Sequence, residues 1–339
     1  MSTMCDAMTN CNPKGIITAK ENNSERAKSQ QDRAFFNANR IIRSNNRDMA
    51  KVVCMGECLV DVTPTENGYE NRIGGAPYNV CACVARLGGE AYYLGKLGGD
   101  CYADFLKDKI SASGVKVDFI AVDKSLKTTL AIVSLDKNGD RSFSFERDNT
   151  ADLNFCEDDV RDDMFDKGDI LHFCSVGLVG KSEFAHKKAL NIAKNKGVTL
   201  SFDVNIRANL WDSVEACIAK IKEFLPYADL LKVSEEELDL LACGKDEQDK
   251  IKDLFGNTNA KIVIVTKGGD GAVAYDRTLA KCLSPAQKVK VTNTTGAGDN
   301  FIGAVLYLLA KGDVALDLES MQSALDFASA NTAAFLSSN

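Results

Sequence analysis

The 339-residue sequence predicts an α/β fold built on a central, mostly parallel sheet, with a small second sheet beside it. Three observations carry that expectation. From Lys51 onward, short aliphatic runs alternate with longer amphipathic stretches, the order of strand and helix that parallel sheets require. Two neighbouring runs, Thr129 to Leu135 and Arg141 to Phe145, alternate apolar with polar and are joined across Asn138-Gly139, a pair that favours a tight hairpin. Finally, Asp203, Lys232, Thr266 and the loop before Gly298 stand at the carboxyl ends of predicted strands, where open α/β sheets bind their ligands.

The elements follow in order. Val52 to Cys58 reads as the first strand, Tyr78 to Leu87 as a helix with Val80, Val84 and Leu87 at helical spacing, and Ala91 to Lys96 as a strand. The hairpin strands and the polar stretch Asp61 to Arg72 make the small sheet, a β lid drawn from about residues 61–73 and 116–147. Strand Asp169 to Phe173, helix Ser182 to Lys196, strand Val198 to Asp203, helix Asp212 to Phe224 and strand Asp229 to Lys232 continue the alternation. A capping box of Ser234 and Glu237 opens the helix Ser234 to Leu241. Ile262 to Thr266 and Gly271 to Tyr275 are strands, and Gly298 to Leu309 is a helix with a strongly apolar face.

Composition narrows the function. Hydrophobic residues make up 45% of the chain, ample for one large core, and residues 49–339 read as one domain. The net charge of −7, without a dense basic tract in that part, argues against nucleic acid and anionic membranes as partners. No apolar run reaches the length of about 20 residues that a bilayer requires. The twelve cysteines sit in apolar segments such as Val52-Val53-Cys54, where a thiol behaves as a small hydrophobe, so a reducing, cytoplasmic setting is expected. With two histidines and no CxxC pair, a Cys/His zinc site has little to build on; His172 is assigned to packing and His186 to the surface. Residues 1–48, rich in Asn, Ser, Lys and Gln, are expected to be a disordered extension. A transit peptide is the competing reading, against which stand Asp6, Glu21 and Glu25.

The segment that carries chemistry is Thr294-Thr295-Gly296-Ala297-Gly298-Asp299, placed just before a helix. Its glycines let backbone N–H groups face a ligand, and the helix start adds positive partial charge; together they make an anion hole for a transferring phosphoryl group. Asp299, in the first turn, is placed to accept the proton of an attacking hydroxyl. Read alone, the same residues are a turn and a helix N-cap. The chain has no G-x-x-x-x-G-K-[ST] loop, and Gly74-Gly75-Ala76-Pro77 does not match the dinucleotide fingerprint, which leaves this segment as the place for phosphate.

Over about residues 51–335 the chain resembles the ribokinase-like (PfkB) carbohydrate kinases, and among them the fructokinases. The resemblance rests on segments in order: Gly56-Glu57-Cys58-Leu59-Val60-Asp61, Gly74-Gly75-Ala76-Pro77-Tyr78-Asn79, Phe143 to Arg147 with Thr150-Ala151-Asp152, Phe202-Asp203-Val204-Asn205-Ile206-Arg207, Lys232 to Glu237, Val265 to Gly271, and the anion-hole segment. It implies a ribokinase-like three-layer sandwich with a β lid, and ATP-dependent phosphorylation of a sugar hydroxyl, D-fructose to fructose 6-phosphate. Alternatives within kinases are 2-keto-3-deoxygluconate kinase, ribokinase and nucleoside kinase; the alternative of another class is a non-catalytic fructokinase-like binding protein.

By the same resemblance Asp299 is the base and Gly296, Ala297 and Gly298 form the anion hole, while Asp61, Gly75, Asn79, Arg147 and Arg207 hold the sugar. Asn205 and Lys232 contact phosphate or magnesium-bound water, Thr266, Gly268 and Gly271 form the ATP loop, and Asn331 on the final helix lies beside adenine. Glu237 resembles the family's acidic magnesium (Mg2+) residue, acting through water, with Ser234 where Asn is usual. Each has a plainer reading: turn-shaping for the glycines and Asn79, a solvated charge for the arginines, the capping box for Glu237. Position 293 is Asn where the family has Asp, and the tail after Phe335 is short; both changes argue against activation by potassium (K+). The lid strands, exposed on one face, suggest a homodimer formed lid to lid.

Overall fold

Val52 to Cys58, one apolar run in the sequence, is divided at Gly56. Strand β1 (Lys51–Met55) ends there and β2 (Leu59–Thr65) sets off into a second sheet. The backbone at Gly56 takes φ 145, and a Cβ at this position would lie 2.7 Å from Pro77 Cγ, so only glycine makes this bend against the following helix. In this computed structural model, residues 49–65, 68–135, 141–289 and 294–338 are described. The expected N-terminal extension 1–48, the Asn138-Gly139 turn and Asn293 lie outside the described residues.

The small sheet comprises β3 (Gly68–Gly74), β2, β6 (Leu130–Leu135) and β7 (Arg141–Glu146), in that order. Strands β2 and β6 are parallel neighbours, Asp61 lying opposite Ala131, and the outer pairs are antiparallel. One boundary of the expected lid is corrected. Within 116–129, β5 (Ile120–Val122) pairs with β4 (Glu90–Leu97) in the main sheet, because the backbone of Gly95 to Leu97 offers it a parallel edge.

The main sheet has nine strands in the order β13-β12-β11-β10-β9-β8-β1-β4-β5. Strands β8 (Ile170–Cys174), β9 (Thr199–Asp203), β10 (Leu230–Ser234) and β11 (Ile262–Thr266) run parallel to β1, β4 and β5, while β12 (Ala272–Asp276) and β13 (Lys281–Ser284) finish one edge antiparallel. Alternate residues of the strands feed two separate cores. Val52 and Cys54 face helices α1 (Ala76–Arg86), α2 (Cys101–Ala112), α7 (Ala297–Lys311) and α8 (Leu318–Ser338). Val53 and Met55 face α3 (Ser182–Lys196), α4 (Val214–Phe224), α5 (Glu235–Leu241) and α6 (Glu247–Asn257). The result is the three-layer sandwich. One face assignment is corrected: His186, expected at the surface, is fully buried on the inner side of α3, its Nδ1 2.7 Å from the Ser182 carbonyl.

Chain order reverses at β1, whose neighbours are β8 on one side and β4 on the other. In open α/β sheets ligands bind beyond the strand ends at such a switch point, and the bend at Gly56 and the loop after Cys174 follow the ends of β1 and β8 there. No helix among the described residues is long and apolar enough to cross a membrane.

Candidate functional site

Parallel register places Lys232 of β10 beside Asp203 of β9. Lys232 Nζ donates to Asp203 Oδ1 at 2.8 Å and to Oδ2 at 2.9 Å, and both side chains are buried. Burial pushes the Asp203 carboxyl upward, and the Lys232 charge opposes that push. The lysine also reaches the start of α7: a Cβ on Gly298 would be 3.4 Å from Lys232 Nζ. At that helix start Gly296 has the left-handed φ of 78 and no side chain caps the end. The Ala297 N–H, expected in the anion hole, donates to the Thr294 carbonyl at 3.1 Å, which leaves the neighbouring glycine N–H groups for a ligand. An anion beside them would meet the helix dipole and the Lys232 ammonium together.

Asp299, one turn in, is 8% exposed. Its Oδ2 accepts a 2.8 Å hydrogen bond from Asn79 Nδ2 on α1. Burial pushes its carboxyl above the ordinary range, while the Asn79 hydrogen bond and the charges of Lys232 and Arg207 pull it back. A buried carboxylate raised in this way is a better proton acceptor than a solvated one.

Arg207 is exposed and among the described residues its side chain bonds only its neighbour's carbonyl, Nη1 to Ile206 O at 2.9 Å, which leaves most of its fork for a ligand. Asn205 is buried with φ 43, and its carbonyl accepts from Ser175 Oγ at 3.2 Å. Glu237 Oε1 accepts from the Ile206 N–H at 2.7 Å and Oε2 from the Ser234 N–H at 2.8 Å, so the capping box and a structural tie to the β9 loop coexist. Burial raises its carboxyl, with Asp203 adding to the rise. Among the described residues no group of three or more His, Cys, Asp or Glu side chains forms a metal cage.

On the lid side, Asp61 of β2 faces the end of β3, where a Cβ on Gly74 would lie 2.7 Å from Asp61 Oδ2. Burial raises its carboxyl to about 6, and Arg72, opposite it in register, opposes the shift. No hydrogen bond is made to this carboxylate among the described residues. Gly75 follows directly, and Asn79 lies one turn further along α1, so the loop from Asp61's neighbour leads to Asp299's partner. Arg147 is already engaged: Nε donates to Asp152 Oδ2 at 2.8 Å and Nη2 to the Val176 carbonyl at 3.0 Å.

The nucleotide-side residues divide. Around Gly268 nothing would lie within 4 Å of an added Cβ, an open position, whereas at Gly271 it would meet Ser284 O at 2.1 Å, which ties that glycine to packing on β13. Thr266 Oγ1 bonds the Val233 carbonyl at 3.4 Å. The expectation for Asn331 is corrected. It is 6% exposed and its Nδ2 donates to Asn300 Oδ1 at 2.6 Å, with Cys83 Sγ at 3.6 Å, so the Nδ2 end of the amide is used within the α1–α7–α8 interface. Among the described residues, buried carboxylates with no assigned role in the sequence include Glu57 and Asp152, which lie at the junction of the two sheets. Their one signal is an acidic residue inside an otherwise apolar or small-residue segment.

An uncapped helix start, a buried carboxylate on its first turn and flanking cations define a phosphotransferase site for an alcohol acceptor. The chain belongs to the pfkB family of carbohydrate kinases, whose sequence profile matches residues 49–338. It is 36% identical over 289 residues to a probable fructokinase-5 of Arabidopsis thaliana, covering 82% of this chain and 89% of that one. Among solved structures, a fructokinase with bound ATP from Xylella fastidiosa superposes with a TM-score of 0.78 at 35% identity, covering 85% of this chain and 92% of the other. A double mutant of the fructokinase from Vibrio cholerae O395, bound to fructose, ADP and potassium, gives 0.78 at 29% identity, over 85% and 93%.

Proposed function

We propose that the protein transfers the γ-phosphoryl group of ATP to the hydroxyl on carbon 6 of D-fructose, giving fructose 6-phosphate. The observation that carries this reading is Asp299, buried at the start of α7 and hydrogen-bonded to Asn79, with Lys232 beside the same turn. The acceptor hydroxyl gives its proton to Asp299 as its oxygen attacks the γ-phosphorus, and ADP leaves from the opposite side. The N–H groups of Gly296 and Gly298 and the cations of Lys232 and Arg207 meet the charge that develops on the phosphoryl oxygens. Asp61, Gly75 and Asn79 orient the sugar from the lid side, and Thr266 and Gly268 lie on the nucleotide side.

Magnesium fits the oxygen-rich rim near Glu237, where a carboxylate with two N–H donors keeps lone pairs for metal-bound water; the nucleotide phosphates complete the set. When bound, the ion neutralises charge on the β- and γ-phosphates. The free thiols among the described cysteines support a reducing, cytoplasmic setting, and the small sheet supports a homodimer formed through it.

An ADP-release assay over fructose, ribose, 2-keto-3-deoxygluconate and nucleosides tests the reading. The highest kcat/KM is expected with fructose, with phosphorus NMR showing the product at carbon 6. A better substrate elsewhere in the panel replaces fructose, and silence on all of them favours a binding protein.

A further inference from the structure

The bend between β1 and β2 is held from several sides. Gly56 N–H bonds the Leu94 carbonyl at 3.2 Å, and Tyr93 Oη donates to the Gly56 carbonyl at 2.7 Å. So fixed, the chain turns Glu57 inward, where its side chain is 3% exposed. Oε1 accepts the N–H of Ala76, the first residue of α1, at 3.2 Å, while Oε2 is buried with no hydrogen-bond partner among the described residues. Gly75 packs so closely that a Cβ would lie 2.5 Å from the Glu57 carbonyl. Arg147 faces the same carboxylate electrostatically, and Asp152, which holds Arg147, accepts from Thr129 Oγ1 at 2.6 Å and Thr150 Oγ1 at 2.7 Å.

All four places where the chain crosses between the two sheets are represented in this cluster. Glu57 precedes β2, Gly75 and Ala76 follow β3, Thr129 precedes β6, and Arg147 follows β7. An unsatisfied buried carboxylate costs folding stability where a neutral or apolar side chain would cost less. Its presence at the point that all lid crossings share calls for a use of the charge.

We propose that Glu57 is a positioning residue for the acceptor sugar, its carboxylate setting the first turn of α1, and with it Asn79, in register with the lid through Arg147 and Asp152. The inference rests on the sugar-kinase reading above. Through Ala76 the charge anchors the helix start that carries Asn79 to Asp299; through Arg147 it senses where the lid stands. The ionised form does this work, since a protonated carboxyl is both a weaker acceptor for the Ala76 N–H and no counter-charge for Arg147. Burial raises the Glu57 carboxyl to about 7; the groups facing it are Arg147, which lowers it, Asp152, which raises it, and the neutral Cys58, Tyr93 and Cys174.

Glu57→Gln tests this by steady-state kinetics and by amide hydrogen exchange. At pH 8 the KM for sugar is expected to rise about 10- to 100-fold, the loss that follows misplacement of a substrate-holding group, with the KM for ATP unmoved. Wild-type kcat/KM for sugar should fall as pH drops through about 7, a step that Glu57→Gln lacks. Exchange in the peptide covering residues 74–79 should quicken in the variant while the strands β8 to β10 stay protected. An unchanged sugar KM overturns the proposal, as does a parallel rise in ATP KM with loosened core strands, the mark of general damage. If the wild type prefers another sugar, only the choice of fructose falls and the same split is read with that sugar. Unchanged exchange at 74–79 overturns the proposal whatever the substrate.

Discussion

The two sides of the candidate site are built differently. On the phosphoryl side most of the charged groups are already matched, Lys232 with Asp203, Glu237 with two backbone N–H groups and Asp299 with Asn79, while the exposed Arg207 keeps most of its fork open. On the sugar side Asp61 is half-buried without a hydrogen bond, and Arg72 turns away to an exposed pair with Glu70. Main-sheet strand ends and a helix start are rigid mounts that fix their side chains before substrate arrives; a four-stranded sheet tied on by a few crossings leaves its acid to be completed by the sugar. Preorganisation is therefore spent on the charge that moves during reaction, and adaptability on recognition.

The contrast breaks most severely if Asp299→Asn retains activity. A fall of about 10²- to 10⁴-fold in kcat is expected, with ATP affinity kept, because only the proton acceptor is removed. Next, Lys232→Met leaves Asp203 buried without its counter-charge, and urea unfolding should show a loss of about 3–5 kcal/mol, largely recovered by adding Asp203→Asn. An equal loss in the double variant would mean that the pair is not a matched unit.

Glu57 supplies a stability signature of opposite sign. Its folded-state carboxyl is raised from 4.5 to about 7, so the native protein holds the extra proton between those values and wild-type stability declines as pH rises through that window. Relative to wild type, Glu57→Gln should gain up to about 3 kcal/mol between pH 4.5 and 8 in denaturant titrations. A difference that does not vary with pH would remove the buried charge from the account.

On the adaptable side, Asp61→Asn should raise the sugar KM about 10- to 100-fold, the worth of one charge-assisted hydrogen bond, and leave ATP unaffected. Wild-type sugar affinity should also weaken as pH falls through about 6, where Asp61 takes up its proton. The smallest effect is expected from replacing potassium with tetramethylammonium, given Asn293 in place of a carboxylate. Strong potassium stimulation would show that backbone oxygens alone suffice.

Most of the sandwich was legible in the sequence because its inner strands are short aliphatic runs and several helices show their own period, whereas β5, β13, α2 and α6 were not read from it. The break at Gly56 was not, since a glycine in an apolar run leaves hydropathy uninterrupted while it redirects the backbone. Lys232, Asp203 and Asp299 were visible as polar residues at strand ends and at a glycine-rich helix start. Arg147 and Asp152 are only five residues apart, but Glu57 is distant from both in sequence and meets them only through the fold, so no local pattern assigns it to them. Asn331 and His186 failed for a related reason: the sequence marks the helix, but packing of that helix decides which way a given side chain faces.

The hydrogen bond between Asn79 and Asp299 also bears on what the enzyme avoids. With ATP bound and no sugar, water is the competing nucleophile, present at overwhelming concentration. One oxygen of the base is then occupied by the Asn79 amide, whose donation lowers its appetite for a proton. If Asn79 holds the acceptor as proposed, a sugar that draws Asn79 to its own hydroxyl would free that oxygen and strengthen the base in the same movement. On that proposal, idle hydrolysis of the nucleotide would be discouraged by the residue that recognises the acceptor.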